Sequence, residues 1–215
     1  MKNLRNLFIC LLLVIANSAF AADSKFVLAI EKGLQLLQSS KSSDQFLLAA
    51  NHFERIAGAE PKEWLPLYYA AYSNVYAGMS ASGNSTKDEL FDKALSQLKT
   101  AEKISQLNSE IVALEGYAVL MKLAVDPMVR GMQMMPEGMS LLEKAKGLNP
   151  DNPRSYLIQG QFVFFMPEAF GGGKAKARPI LQTGKEKYDL QDAAASIEPR
   201  WGKNRLEDLL KQANE

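Results

Sequence analysis

Apolar residues recur every three to four positions along most of the chain, which is the spacing of a helix with one buried face. Phe26, Ile30 and Leu37 keep this rhythm near the beginning, and Phe46 and Phe53 continue it. No stretch alternates apolar and polar residues for long enough to predict a β-strand. The sequence therefore predicts an all-α protein.

One sequence pattern is repeated along these helices. A small residue is followed four positions later by a large one, three positions after that by a small one, and five positions after that by a proline. The clearest copy is Gly138, Leu142, Ala145 and Pro150. The other copies are Ala49–Phe53–Ile56–Pro61, Ala94–Leu98–Ala101 and Ala177–Leu181–Gly184. In the first of them Ile56 is larger than the pattern prefers, and the last two lack the proline. This pattern resembles the second helix of a tetratricopeptide (TPR) repeat, whose small residues allow two helices to pack closely.

The resemblance implies a small residue on the next helix, ten places after the proline position. Ala71, Gly116 and Gly160 stand there. It therefore implies an α–α superhelix: a TPR-like solenoid of about four helical hairpins and a C-terminal capping helix. Trp201 and the leucines of that last helix are expected to cover the final repeat. An ordinary helical bundle is the alternative.

The repeats are longer than those of the family. Their anchors Ala49, Ala94, Gly138 and Ala177 are 45, 44 and 39 residues apart, whereas a TPR repeats every 34 or so residues. We expect the surplus in lengthened hairpin loops along one edge, at Ala77–Ser85, Val125–Met135 and Met166–Gly173.

The first residues predict export. Lys2 and Arg5 precede an apolar run, and Ala19-Phe20-Ala21 is a typical cleavage sequence. We predict a cleavable signal peptide at 1–21, a retained anchor being the alternative, and a single domain at 22–215 that is periplasmic or secreted. Cys10 is the only cysteine, so the mature chain has no disulfide.

Charge narrows the function classes. The chain has 25 basic and 24 acidic residues, without the basic cluster that nucleic-acid binding requires. No second apolar segment approaches the length of a membrane span. The carboxylates are interspersed with lysines, as on a solvated helix face, and they form no recognisable catalytic group. We predict no enzyme activity and no cofactor.

Two motifs invite a ligand interpretation. Glycines at 171–173 before Lys174 are similar to a phosphate loop, but the hydroxyl that should follow is replaced by Ala175, and a tight turn is the simpler interpretation. A methionine cluster could bind Cu(I) or a small ligand, fill the core, or contact a partner; its members are Met128, Met132, Met134, Met135 and Met139.

The TPR resemblance implies a function as a scaffold. In that family the first helix of each pair lines a groove that binds another protein, here an exported or envelope protein or peptide. Carried over residue by residue, the resemblance predicts a groove formed by Tyr68, Tyr72, Tyr117, Arg154, Leu157, Gln161 and Phe164. The alternative for these residues is packing inside a tightly wound superhelix. A carrier of Cu(I) or of a small ligand is the alternative function.

Overall fold

The computed structural model describes residues 24–191 and 197–215, and every regular element in those ranges is helical. Helix α1 occupies residues 24–39. It is followed by α2 (Ser43–Ala59), α3 (Leu65–Ser80), α4 (Asn84–Ile104), α5 (Ser109–Leu123), α6 (Pro127–Leu148), α7 (Pro153–Phe165), a 3₁₀ turn (Glu168–Phe170), α8 (Lys174–Asp189) and α9 (Lys203–Asn214).

The helices begin at two kinds of residue. Asn108, Asp126 and Asn152 cap α5, α6 and α7, because their side chains accept hydrogen bonds from first-turn amides that have no partner within the helix. Helix α8 begins instead after Gly173, whose φ of 100° favours glycine. Each short polar or glycine segment therefore ends one helix and directs the next.

Consecutive helices pack against each other throughout the described chain, and α5 also contacts α3 and α7. This is the pairwise stacking of a TPR-like superhelix, in which each hairpin buries its apolar face against its neighbours. The predicted fold class is confirmed. The division into one domain at 22–215 stays a prediction.

Glycines at the predicted positions allow the two helices of a pair to approach closely. A Cβ added to Gly160 on α7 would lie 2.5 Å from Leu181 Cδ2 on α8. A Cβ on Gly116 of α5 would lie 3.1 Å from the Gly138 carbonyl oxygen on α6. The small residues that the repeat spacing predicted therefore lie where the two helices of a pair cross.

The prediction of lengthened hairpin loops is wrong for two hairpins. Residues 81–83 alone separate α3 from α4, and residues 124–126 alone separate α5 from α6. The surplus lengthens the helices instead, since α4 has 21 residues and α6 has 22. Asp126 as cap and Pro127 in the first turn start α6 at once, so the methionine cluster is helical. Of the three predicted loops, only that of the α7–α8 hairpin is a longer connection, at 166–173.

The last helix has the role expected of it. Leu206, Leu209 and Leu210 are buried with Leu181 of α8 in one apolar cluster. They cover the final hairpin, as a capping helix should. The predicted signal peptide at 1–21 lies outside the described residues, and no described helix is long and apolar enough to cross a membrane.

Candidate functional site

The predicted groove residues lie on α3, α5 and α7, the first helices of their pairs. Tyr68, Tyr72 and Tyr117 are nearly inaccessible to solvent. Arg154 and Leu157 are also buried, whereas Gln161 and Phe164 are half-buried. The residues therefore face the interior of the superhelix. Most of them pack there, which is the alternative to an open groove given above. Their role in binding a partner stays a prediction.

The chain itself enters this interior. Residues 197–202, which we name the C-terminal strap, cross the inner faces of α3 and α5. Tyr69 donates a hydrogen bond from its hydroxyl to the Ile197 carbonyl oxygen at 2.8 Å. Trp201 Nε1 donates to the Tyr68 hydroxyl oxygen at 2.9 Å. The strap could not be predicted from local sequence patterns, because these contacts join residues more than 120 positions apart.

Trp201 is the centre of an aromatic cluster. Its ring centroid lies 4.6 Å from that of Tyr72 and 6.4 Å from that of Tyr117. Tyr72 in turn lies 4.7 Å from Tyr76. Such distances are typical of attractive contacts between aromatic rings. Trp201 also packs against the apolar cluster of the last repeat, as expected, but its ring contacts extend to the inner faces of the second and third hairpins.

A cavity of about 450 Å³ remains beside the strap, between α1, α2 and α3. Its size lies within the range of small-molecule sites, roughly 300–1,000 Å³. Aromatic and aliphatic side chains dominate its wall. They are Leu34, Leu37, Phe46, Tyr69, Tyr72, Tyr76 and Trp201, with Gln38, Ser40, Glu198 and Arg200 as the polar members.

Most of these cavity residues were not predicted; of the seven groove residues only Tyr72 lines the wall. The signal was present in α3, where Tyr69, Tyr72 and Tyr76 follow one another at intervals of three and four and so share one helix face. The positions carried over from the TPR family predict Tyr68, which is adjacent to Tyr69 in the sequence, as a groove residue instead.

Tyr69 and Tyr72 of the wall are neutral phenols, because their pKa values lie above the usual value. Burial raises the pKa of Tyr72 well above its usual value, and the neighbouring Tyr76 adds to the shift. Burial likewise raises the pKa of Tyr69. A buried phenol that keeps its proton is a weak metal ligand but an effective ring surface. The wall is therefore suited to stacking.

A buried ion pair lies behind the strap. The Arg154 guanidinium on α7 donates two hydrogen bonds to the Glu110 carboxylate on α5. Burial acts to lower the pKa of Arg154, but the hydrogen bonds and charge of Glu110 overcome this and raise it. Such two-pronged contacts fix geometry as well as charge. The pair therefore holds α5 and α7 in register beneath the aromatic cluster.

Gln161 and Phe164, the remaining predicted groove residues, lie nearer the hairpin tips. Gln161 donates to the Tyr117 hydroxyl at 3.2 Å and accepts from Arg205 Nε at 2.8 Å. Lys174 Nζ lies 6.0 Å from the centre of the Phe164 ring. These contacts connect α5, α7, α8 and α9, and neither residue lines the cavity.

The members of the methionine cluster differ in burial. Met128 and Met132 are 90% and 95% exposed, Met134 and Met135 are half-buried, and Met139 packs against the core. Core filling therefore accounts for Met139, and binding of Cu(I) or of a small ligand by the cluster stays a prediction. The glycine run forms the expected turn, with Gly171 and Gly173 at positive φ.

The sole histidine belongs to a helix contact, as a residue of that type on an apolar face usually does. A ring nitrogen of His52 on α2 lies 2.9 Å from the Ala29 carbonyl oxygen on α1. His52 does not line the cavity.

Comparison with known proteins agrees with this architecture. No protein-family model and no curated protein matches the chain. Among solved structures, a TPR protein from Thermus thermophilus is similar over 86% of this chain and 79% of its own, with a TM-score of 0.62 and 18% identity. That likeness places the chain in the class of TPR-like helical superhelices.

A second solved structure is more similar. It is the haemophore HusA from Porphyromonas gingivalis, with a TM-score of 0.78 and 30% sequence identity. The similarity covers 87% of this chain and 92% of HusA. The chain belongs to the same family as HusA.

Proposed function

We propose that this protein is an exported carrier that binds a planar, largely apolar ligand of the haem type in the cavity beside the C-terminal strap. The observation that carries the proposal is the cavity of about 450 Å³ walled by Tyr69, Tyr72, Tyr76 and Trp201. Family membership supports it, since HusA is a haemophore. Export rests on the predicted signal peptide.

The chemistry of the wall suits such a ligand. Aromatic side chains offer flat apolar faces to a flat ring system, and rigid rings lose little conformational entropy on contact. Arg200 and Glu198 make one side of the cavity polar. A ligand that is apolar at its ring and charged at its edge would therefore orient its charged groups toward the strap.

The donor set indicates recognition of the ring rather than of a metal in it. Among the residues that the structure describes, the wall includes no histidine, cysteine or methionine, and burial keeps the phenols of Tyr69 and Tyr72 protonated. We therefore expect binding through stacking and apolar contact. Removing the iron should change the affinity little.

Titration of the protein with haemin and with iron-free protoporphyrin, followed by absorbance, tests the proposal. We expect both to bind. Leu34→Trp, which fills the cavity from α1, should weaken both affinities by about tenfold or more, equivalent to about 1.4 kcal/mol. Leu48→Trp is the matched control, because Leu48 is 63% exposed on α2.

Either of two outcomes would contradict the carrier function. In the first, neither haemin nor protoporphyrin binds; in the second, the two tryptophan variants lose affinity equally.

A scaffold that binds another exported protein is the second candidate function, and the TPR-like fold supports it. A peptide in the predicted groove would have to displace Trp201 from Tyr72 and Tyr117. This requirement makes the small-ligand carrier the better-supported function.

A further inference from the structure

Large apolar side chains protrude at two neighbouring hairpin tips. At the α5–α6 tip, Met128 and Met132 are 90% and 95% exposed. At the α7–α8 tip, Phe165 and Phe170 are 62% and 72% exposed. Single exposed apolar residues are common on protein surfaces, but a group of them on adjacent tips requires an explanation.

The two tips lie at the same edge of the superhelix. Helices α5 and α7 run in the same direction. Arg154 is hydrogen-bonded to Glu110 and Gln161 to Tyr117, and both pairs are 44 residues apart, so the two helices are parallel. Their C-terminal ends, at Leu123 and Phe165, therefore emerge side by side. Met128 and Met132 follow within the first two turns of α6.

Cations accompany the apolar side chains at this edge. Lys174 Nζ lies 6.0 Å from the Phe164 ring centre, and Arg205 Cζ lies 5.6 Å from that of Phe165. Lys176, two residues further along α8, is exposed. None of the three forms an ion pair with a carboxylate in the described part of the chain.

The geometry points to a peripheral membrane-binding edge: we propose that Met128, Met132, Phe165 and Phe170 insert into the interfacial layer of an anionic phospholipid membrane. Lys174, Lys176 and Arg205 would then lie at the depth of the lipid phosphates. Protruding side chains on separate tips suit a soft, flat lipid surface, whereas a protein partner would need matching pockets. Cations without a carboxylate partner provide the charge complementarity to anionic lipid, and the three of them outnumber the exposed Glu168 on the same tip.

Flotation with vesicles tests this inference independently of the carrier function. The probes are vesicles of phosphatidylethanolamine with phosphatidylglycerol, and vesicles of phosphatidylcholine alone. The protein, expressed with its leader and purified from the exported fraction, should float with the anionic vesicles and much less with the zwitterionic ones. Raising the salt concentration should weaken its binding, since salt screens the lysines and the arginine.

Two variants localise the effect. In M128S/M132S/F165S/F170S the fraction bound should fall by about tenfold, because the inserted apolar area is lost. Lys174→Glu with Lys176→Glu should remove the preference for anionic lipid. Leu28→Ser with Leu48→Ser is the matched control, since both leucines are 63% exposed on the first hairpin; it should bind like the unaltered protein.

Circular dichroism of each variant establishes that the helices are retained. The tip variant should also keep its affinity for haemin, because none of its four positions lines the cavity. The proposal of a membrane-binding edge would be overturned if the unaltered protein did not float with the vesicles. It would also be overturned if the tip variant and the leucine control lost vesicle binding equally.

Discussion

Arg154→Ala is expected to destabilise the folded protein by about 3–5 kcal/mol, which is typical when one partner of a buried ion pair is removed. Arg154 is 2% exposed, and its guanidinium holds the Glu110 carboxylate with two hydrogen bonds. The variant leaves that carboxylate, whose side chain is 16% exposed, without its cation. Chemical denaturation of the variant and the unaltered protein measures the difference in the free energy of unfolding.

Two further variants establish the cause. Replacing both partners, as Arg154→Met with Glu110→Leu, should recover much of the loss, because no charge then remains buried. Lys144→Ala is the control: Lys144 and Glu102 are 3.5 Å apart and largely exposed, so that loss should stay below about 1 kcal/mol. If Arg154→Ala lowered the free energy of unfolding no more than Lys144→Ala does, water would have to reach the Arg154–Glu110 pair.

Trp201→Ala is the second change with a large expected effect, and it acts on both stability and binding. Removing the ring opens a space between Tyr72 and Tyr117 and leaves the Tyr68 hydroxyl without its donor. We expect a loss of about 3 kcal/mol in stability, at the low end for a tryptophan because the side chain is half-buried. Haemin affinity should fall by about tenfold, since one stacking surface of the cavity is lost.

The other tryptophan separates these two effects. Trp64 packs edge-on against Tyr68 but does not line the cavity. Trp64→Ala should therefore lower the stability and leave the haemin affinity unchanged, as absorbance titration under native conditions would measure. If Trp201→Ala binds haemin as tightly as Trp64→Ala does, Trp201 has only a structural role in the strap.

Local patterns predicted the helices and their pairing well. The spacing of Gly138, Leu142 and Ala145 identifies a helix whose small residues face a neighbour, and in the fold those residues are buried at the α5–α6 crossing. Such patterns arise because a helix pair is a local unit whose contacts recur at fixed intervals. The loop lengths were predicted less well. Serine- and methionine-rich stretches also suit exposed helix faces, so composition alone did not distinguish a loop from the first turns of α4 and α6.

The candidate site was the least predictable part. Its cavity is formed where α1, α2 and α3 meet residues near the C-terminus, and no periodicity encodes a contact such as that of Tyr69 with Ile197. The family register indicated the correct helices but assumed an open inner face. The strap occupies part of that face, and a compact aromatic cavity lies beside it. For this reason we propose a small molecule rather than a protein as the ligand.

The crystal structure of the protein with haemin would test the central claim most directly. We expect the porphyrin in the cavity between α1, α3 and the strap, with its ring against Tyr72 or Trp201 and its carboxylates on the side of Arg200. Haemin bound at the methionines of α6, or elsewhere on the outer surface with the cavity unchanged, would contradict it.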